Sequence, residues 1–301
     1  MSIPSENIPL DSIIYTNRIP GELCLYDEHK HLAAFVAYPG SKALVIFIAG
    51  LTDGLFSPRY WGPMAKALHS QGFTCVQPIL SSSYHGFGTS SLDQDVMELD
   101  TLIDFLSQHY EPSCIFLIGH STGCQDAVTF FRKGRNATLI RGIVLQAPVS
   151  DRDFLQSLPD AQERLEKART IYATQGPETL LNGKLFTTVF PVLTARRFLS
   201  LAERLGDDDM FSYDLTDDEL DSRLRHMRNV PTLALFCEKD EAIPNHISYP
   251  ELAKRLCNVM GATSYMLSNA NHAINNSEQC IRDFIEQVVH FIHKVYSSTS
   301  E

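Results

Sequence analysis

One stretch of this sequence decides its fold: Cys114-Ile115-Phe116-Leu117-Ile118-Gly119-His120-Ser121-Thr122-Gly123-Cys124-Gln125-Asp126-Ala127-Val128. Its apolar first part predicts a buried strand that runs into Gly-x-Ser-x-Gly, and the residues after that motif predict a helix. The serine in such a turn has a strained backbone, so the residues two before and two after it must be very small. Gly119 and Gly123 meet this need. The pattern therefore predicts that Ser121 is a nucleophile.

Short apolar runs alternate with amphipathic helical stretches on both sides of this motif. The alternation predicts an α/β fold with a mainly parallel central sheet and helices on both faces. The nearly continuous hydrophobicity of most runs suits strands that are buried on both faces, and the first two runs predict a leading antiparallel pair. The predicted strands are 23–26, 32–38, 43–48, 73–80, 114–118, 139–145, 232–237 and 263–267, and the clearest predicted helices are 92–109, 122–132 and 277–295.

The alternation stops between residues 151 and 229, where a charged, helix-favouring segment precedes the next strand. We expect a single domain over residues 1–301, since α/β folds of this length often remain one unit. Residues 151–229 are then an inserted helical cap, called the cap segment below. Its apolar residues can line a substrate pocket or form its own core, and the core is the simpler interpretation. They are Leu180, Leu181, Leu185, Phe186, Val189, Phe190, Val192, Leu193, Phe198 and Leu199.

A histidine must accept the proton of the serine, because a hydroxyl is a poor nucleophile at neutral pH. His272 lies in a polar loop between the last predicted strand and the last predicted helix, at the carboxyl edge of the sheet. His85 follows another strand at that edge; it is an alternative base and, with Tyr84, a candidate pocket residue. His120 adjoins the serine but must point away from its oxygen, so a packing or loop-orienting role is expected. The sequence favours His272 as the general base.

The acid must orient this histidine and stabilise its cation, so it is expected after a strand close to the last one. Asp240 comes just after the strand that precedes the last one, and a proline follows it closely. Glu238 and Glu241 are neighbouring rivals that we expect to face solvent. Asp151 and Asp153 follow an earlier strand and offer a second position for the acid. The sequence favours Asp240 and leaves that second position open.

Two backbone N–H groups are expected to stabilise the oxyanion that forms when an ester carbonyl is attacked. The first belongs to Thr122, because N–H groups at the start of a helix stabilise negative charge. The second is assigned to Leu51, in the glycine-bordered loop Ala49-Gly50-Leu51-Thr52-Asp53-Gly54. This chemistry needs no cofactor. No metal site is predicted either, since the sequence has no Cys-x-x-Cys pair and no His-Glu-x-x-His motif.

Charge and composition exclude several other classes of protein. The 301 residues include 36 acidic and 25 basic side chains, a net charge of −11. This charge repels nucleic acid and anionic lipid surfaces, so we expect no nucleic-acid partner. No apolar stretch is long enough to predict a membrane span, and no secretion signal is expected at the first residues. The seven cysteines are odd in number and mostly lie in apolar runs, which predicts reduced thiols and a cytoplasmic location.

Four segments of the chain together resemble a fungal branch of the α/β-hydrolases that includes the fusarinine C esterases, enzymes that open ester bonds of hydroxamate siderophores. The most specific is Gly-His-Ser-Thr-Gly-Cys-Gln-Asp at 119–126; the others are 48–54, 81–88 and 146–152. The resemblance implies Ser121 as nucleophile, Asp240 as acid and His272 as base. It also implies that the protein releases iron from an imported siderophore inside the cell. The oxyanion loop departs from the His-Gly pair common in lipases, having Ala49-Gly50.

Together these observations predict a serine carboxylic ester hydrolase that acts through an acyl-enzyme. Its partner would be a small-molecule ester, with a ferric siderophore as one candidate. Two alternatives remain open: the same fold acting on a lipid ester, a thioester or an amide, and a catalytically silent hydrolase fold that only binds a ligand. The order of the serine, aspartate and histidine argues against the silent alternative. The sequence does not indicate an oligomeric state.

Overall fold

A computed structural model describes residues 18–187, 190 and 192–298. In this part of the chain, strands β1 to β8 form one sheet in the order β1-β2-β4-β3-β5-β6-β7-β8. β2 is antiparallel to β1 and to β4, and the other neighbours are parallel. The strands are β1 Gly21–Asp27, β2 Leu32–Ala37, β3 Ala43–Ile48, β4 Thr74–Pro78, β5 Cys114–His120, β6 Ile140–Gln146, β7 Thr232–Cys237 and β8 Thr263–Leu267.

Helices cover both faces of this sheet, as the sequence predicts. Helices α1 and α10 contact each other and the strands on one face, whereas α2, α3, α8 and α9 are linked by contacts on the other. The predicted α/β class and mainly parallel sheet are therefore confirmed. The helices are α1 Trp61–Ser70, α2 Leu92–Tyr110, α3 Gly123–Lys133, α4 Asp151–Ser157, α5 Ala161–Gln175, α6 Lys184–Thr187, α7 Ala195–Ala202, α8 Asp217–Leu224, α9 Tyr249–Met260 and α10 Glu278–Ser297.

The central strands are buried along their whole length, which explains why their sequences do not alternate between apolar and polar residues. Strand β5 continues two residues beyond the predicted end at 118, because Gly119 and His120 still pair with β6. The turn therefore begins at Ser121 itself. At the edges of the sheet one face meets solvent, as the 67% exposure of Leu23 in β1 shows.

The cap segment contains helices α4 to α8, and its described residues form no strand beyond an isolated bridge between Leu180 and Thr194. Its buried apolar residues from Leu155 to Ala202, with Phe87 from the main domain, make a cluster separate from the main core, whereas those from Met210 to Met227 belong to the main core. The interpretation as a core of its own is confirmed for Leu181, Phe186, Leu193 and Phe198, while Leu185, Phe190 and Leu199 pack against the same cluster. Leu180 and Val192 are exposed, and Val189 lies outside the described residues. The single-domain division and the limits 151 and 229 stay predictions.

Three further properties bear on the function. No described helix is long and apolar enough to cross a membrane. All seven cysteines are free. Across the described ranges, no group of three or more His, Cys, Asp or Glu side chains is arranged to hold a metal ion. The first residues of the chain, on which the expectation about a secretion signal rests, lie outside the described part.

Candidate active site

The turn that carries Ser121 is strained, and close backbone approaches explain its two glycines. Ser121 has φ of 53°, a left-handed conformation that non-glycine residues adopt rarely. A Cβ atom at Gly119 would lie 2.3 Å from the carbonyl oxygen of Gly123, and one at Gly123 would lie 2.3 Å from the carbonyl oxygen of Ile48. Since these neighbours are backbone atoms, they cannot move aside cheaply. The turn thus lifts Ser121 out of the carboxyl end of β5.

We expect Gly123→Ala to lower the free energy of unfolding by about 1–3 kcal/mol, because the added methyl group forces β3 away from the turn. Urea denaturation of the purified variant would measure this. Gly142→Ala is the matched control, because its Cβ would meet side-chain atoms rather than backbone: the ring of Phe116, at 3.0 Å, and that of Phe291, at 3.5 Å. Equal stabilities of the two variants would contradict the argument.

The structure brings Ser121, His272 and Asp240 into contact at the carboxyl edge of the sheet. Nε2 of His272 lies 2.8 Å from Oγ of Ser121. On the other side of the ring, Nδ1 lies 2.9 and 3.0 Å from the two carboxylate oxygens of Asp240. A carboxylate can only accept, so the ring proton sits on Nδ1 and the lone pair of Nε2 faces the hydroxyl. This is the arrangement that a general base requires.

The electrostatic surroundings of His272 stabilise its protonated form. Burial by itself lowers the pKa of His272, but the hydrogen bond that the ring donates to Asp240 and the charges of Asp240, Glu241 and Asp151 outweigh it, so the pKa is raised above its ordinary value. These groups therefore stabilise the imidazolium that forms when the ring accepts a proton. The carboxyl group of Asp240 is fully buried.

The loop after β3 passes directly against the nucleophile. A Cβ at Gly50 would lie 2.9 Å from Cβ of Ser121, so only glycine permits this approach. Leu51 and Thr122, the predicted oxyanion donors, line one small cavity of about 20 Å³. Thr122 is also the N-cap residue of α3. The two residues therefore lie close together, and the role of their N–H groups stays a prediction.

The same loop is anchored by two side chains, one of which the sequence singled out for another reason. Nε2 of Gln77 donates to the carbonyl of Gly54 at 3.2 Å. Tyr84 accepts a hydrogen bond from the N–H of Leu55 at 3.2 Å and packs its ring over Gly54, where a Cβ would overlap it. Tyr84 thus holds the oxyanion loop. His85 is exposed beside it, and the pocket role predicted for both residues stays a prediction.

The alternative acids are bound elsewhere. Oδ2 of Asp151 accepts from Nε2 of Gln125 at 2.8 Å, and Oδ2 of Asp153 accepts from the N–H of Tyr213 at 3.0 Å. Of the carboxylates considered from the sequence, Asp240 is the one hydrogen-bonded to the ring of His272.

The two glutamates beside Asp240 are exposed, as expected, but each also holds the loop of His272. Oε2 of Glu241 accepts from the backbone N–H of His272 at 2.9 Å. Oε2 of Glu238 accepts from the N–H of Asn269 at 2.7 Å. Sequence reasoning missed this role, because nothing in the local pattern shows which loop a surface carboxylate faces.

His120 turns away from the serine oxygen, as expected. Its Nδ1 contacts Oε1 of Gln146, and its Nε2 lies 3.7 Å from Oδ2 of Asp53 in the oxyanion loop. Burial, with a smaller contribution from the charge of His272, lowers the pKa of His120 to about 3. The ring is therefore neutral at physiological pH, and it contacts the oxyanion loop rather than Ser121.

Four carboxyl groups surround one buried guanidinium where the cap segment meets α2 and α3. Nη1 of Arg197 donates to Oδ2 of Asp208 at 2.5 Å. Burial raises the pKa of both Asp95 and Asp151 to about 7 and that of Asp126 well above its usual range. One cation cannot balance these four carboxylates, of which Asp95, Asp126 and Asp208 are buried, so some of them keep their protons in the folded chain.

We expect the free energy of unfolding to fall by about 2–4 kcal/mol as the pH rises from about 4 to about 7, because Asp95 loses its proton over this range. The pKa of Asp95 is about 7 in the folded chain against a model-compound value of 3.8. Its stabilising contribution is therefore complete below the lower pKa and is lost as the pH passes the higher one.

Urea denaturation across this pH range would measure the loss, and Asp95→Asn should reduce it. Asp93→Asn is the matched control, since Asp93 is exposed and pairs with Lys133. Parallel pH profiles for the wild type and the Asp95 variant would contradict the expectation.

Comparison with known proteins places this chain in a family. Residues 14–293 match the family described as "Protein of unknown function (DUF1749)". The chain belongs to this family. Among curated relatives, Esterase AN6793 of Emericella nidulans is 29% identical, over 77% of this chain and 78% of the relative. Fusarinine C esterase sidJ of Aspergillus fumigatus is 27% identical, over 78% and 84%.

Solved structures agree with the fold. The siderophore hydrolase EstB from Aspergillus fumigatus superposes with a TM-score of 0.79 at 26% identity, covering 93% of this chain and 98% of that one. An alpha/beta hydrolase fold protein of unknown function superposes with a TM-score of 0.71 at 15% identity, over 95% and 99%. The chain therefore has the α/β-hydrolase fold, and the family resemblance stated from its sequence is confirmed.

Proposed function

We propose that this protein is a serine carboxylic ester hydrolase that acts through an acyl-enzyme. The observation that carries the proposal is the 2.8 Å approach of His272 Nε2 to Ser121 Oγ, with Asp240 on the opposite ring nitrogen. Relatives named as esterases support the same class of reaction. The α/β-hydrolase fold presents these residues at the edge where such chemistry takes place.

The proposed reaction has two halves. Oγ of Ser121 attacks the ester carbonyl while Nε2 of His272 accepts the hydroxyl proton, and Asp240 stabilises the resulting imidazolium. The N–H groups of Leu51 and Thr122 bind the oxyanion. The tetrahedral intermediate then expels the alcohol, which takes the proton back from His272, and the acyl group stays on Ser121. In the second half His272 accepts a proton from a water that attacks the acyl carbonyl; the bond to Oγ of Ser121 then breaks, His272 returns the proton to Oγ, and the acid leaves.

For the substrate, we propose ester bonds of hydroxamate siderophores such as fusarinine C. Two relatives are named for this chemistry, a fusarinine C esterase and a siderophore hydrolase. The net charge of −11 also favours a ligand with positive groups over an anionic one. Hydrolysis in the cytoplasm would release the iron, which is cargo here and takes no part in the reaction. The partner is thus a small molecule and not nucleic acid.

The test separates the general activity from the substrate. A fluorophosphonate probe should label the wild-type protein, and ferric fusarinine C and its acetylated form should be opened when mass spectrometry follows the reaction. Intact cyclic triesters, together with hydrolysis of p-nitrophenyl acetate, would reject the siderophore substrate and retain the esterase. If the protein shows neither labelling nor hydrolysis, the alternative that remains is a silent hydrolase fold that only binds a ligand.

A further inference from the structure

The side chain of Gln146 makes several polar contacts beneath the candidate active site. It is the last residue of β6, it pairs with His120 across the sheet, and it is fully buried. Its Nε2 donates to the backbone carbonyl of His272 at 3.0 Å. Its Oε1 accepts from the hydroxyl of Tyr60 at 2.8 Å and also contacts Nδ1 of His120. One side chain therefore connects the ends of strands β5 and β6, the N-cap residue of helix α1 and the loop of His272.

The direction of each hydrogen bond follows from chemistry. A backbone carbonyl can only accept, so the amide nitrogen of Gln146 must face His272 and its oxygen must face His120. An amide oxygen also only accepts, so Nδ1 of His120 carries a proton. Because this ring is neutral, its Nε2 carries no proton; it lies 3.7 Å from Oδ2 of Asp53, so no hydrogen bond joins the two groups. The orientation of Gln146 thus sets the tautomer of His120.

The ring of His120 packs against the loop of Leu51, since a Cβ at Gly50 would lie 3.3 Å from Cδ2 of His120. The N–H of Asp53 donates to the carbonyl of Gly50 at 3.1 Å, closing the turn that contains Leu51. The hydroxyl of Ser57 donates to Oδ1 of Asp53 and fixes its carboxyl group. Gln146 therefore holds the loop of His272 by a hydrogen bond, and it also holds the ring of His120 that packs against the loop of Leu51.

We propose that Gln146 is a positioning residue for this reaction, which orients the loop of His272 and, through His120, the loop of Leu51. The proposal rests on the esterase function given above. Its physical basis is that a buried amide holding both loops leaves the imidazole little freedom to drift away from Ser121. A displacement of about 1 Å in a catalytic group can cost roughly 100-fold in rate.

The test compares two substitutions of Gln146. Gln146→Leu has nearly the same size and removes both the donor and the acceptor; we expect kcat for p-nitrophenyl acetate to fall roughly 10- to 100-fold, with KM within about 3-fold. Gln146→Glu keeps an acceptor for His120 but can donate to the carbonyl of His272 only when its carboxyl group is protonated. The ratio of its kcat to that of the wild type should therefore rise as the pH falls.

Gln125→Leu is the matched control, because it also removes a fully buried amide but one that binds Asp151. We expect its kcat to change less than about 3-fold. Nitrogen NMR of the imidazole rings adds a readout that needs no catalysis: His120 should be the neutral Nδ1–H tautomer in the wild type, and this preference should weaken in Gln146→Leu.

Two results would overturn the positioning role: an Nε2–H tautomer of His120 in the wild type, or an unchanged kcat in a folded Gln146→Leu variant. A wild type without activity towards p-nitrophenyl acetate would instead reject the esterase function. In that case the tautomer of His120 would still test the hydrogen-bond network.

Discussion

Replacing the proposed nucleophile should have the largest effect of any single substitution. We expect Ser121→Ala to lower kcat for p-nitrophenyl acetate by roughly 10⁴- to 10⁶-fold, because no other oxygen remains to form the acyl-enzyme. The fold should persist, since the described hydrogen bond that is lost joins the hydroxyl to the ring of His272, a partly exposed side chain. Steady-state hydrolysis and labelling by a fluorophosphonate probe would measure the loss.

Ser222→Ala is the control for Ser121→Ala, since Ser222 lies on α8 and its hydroxyl donates to a carbonyl of its own helix. We expect wild-type rates for it. His272→Ala should match the loss in Ser121→Ala, because the two side chains act as a unit. Equal rates for Ser121→Ala and the wild type would reject the nucleophile. If His85→Ala lost the activity and His272→Ala kept it, the assignment of the base would be wrong.

Replacing the proposed acid should have the next largest effect. We expect Asp240→Asn to lower kcat by roughly 10³- to 10⁴-fold with little change in KM. The amide nitrogen of asparagine would face Nδ1 of His272 and favour the tautomer with the proton on Nε2. That nitrogen could then no longer accept a proton from Ser121, which lies 2.8 Å away. The pKa of His272, which Asp240 helps to raise, should also fall and shift the acidic limb of the pH–rate profile to lower pH.

Asp151→Asn decides between the two positions considered for the acid. Asp151 bonds to Gln125 rather than to the ring of His272, so we expect a loss of less than about 10-fold. It would arise from the charge of Asp151, which is one of the influences that raise the pKa of His272. A loss in Asp151→Asn as large as in Asp240→Asn would place the acid after β6 instead of β7.

Much of the fold could be predicted from local pattern. The runs that became β3, β5 and β7 are nearly all apolar, and such runs between helical stretches indicate central parallel strands. The end of β5 was less predictable. Pairing of His120 with Gln146 across the sheet extends the strand to the residue before Ser121, and a contact between strands leaves no mark in either sequence alone.

The candidate site also has some features that the sequence predicts and others that it does not. Glycines at 119 and 123 reveal the turn because steric exclusion acts within a few residues. The contacts of the two glutamates beside Asp240 with the loop of His272 carry no such signal. The contacts of Gln146 could not be predicted from the sequence either, since an amide at the end of an apolar strand is compatible with many environments.

By itself, the sequence determined the strand–serine–helix turn, the chain order of serine, aspartate and histidine, and the helical character of the cap segment. All of these depend on sterics and periodicity over short distances along the chain. Only the tertiary structure decided that Asp240 rather than Asp151 bonds to His272, and that Gln146 joins the two loops. His272 and Ser121 are separated by 151 positions, and the sheet register, which brings the ends of β5, β6 and β7 to one edge, sets the distances between such residues.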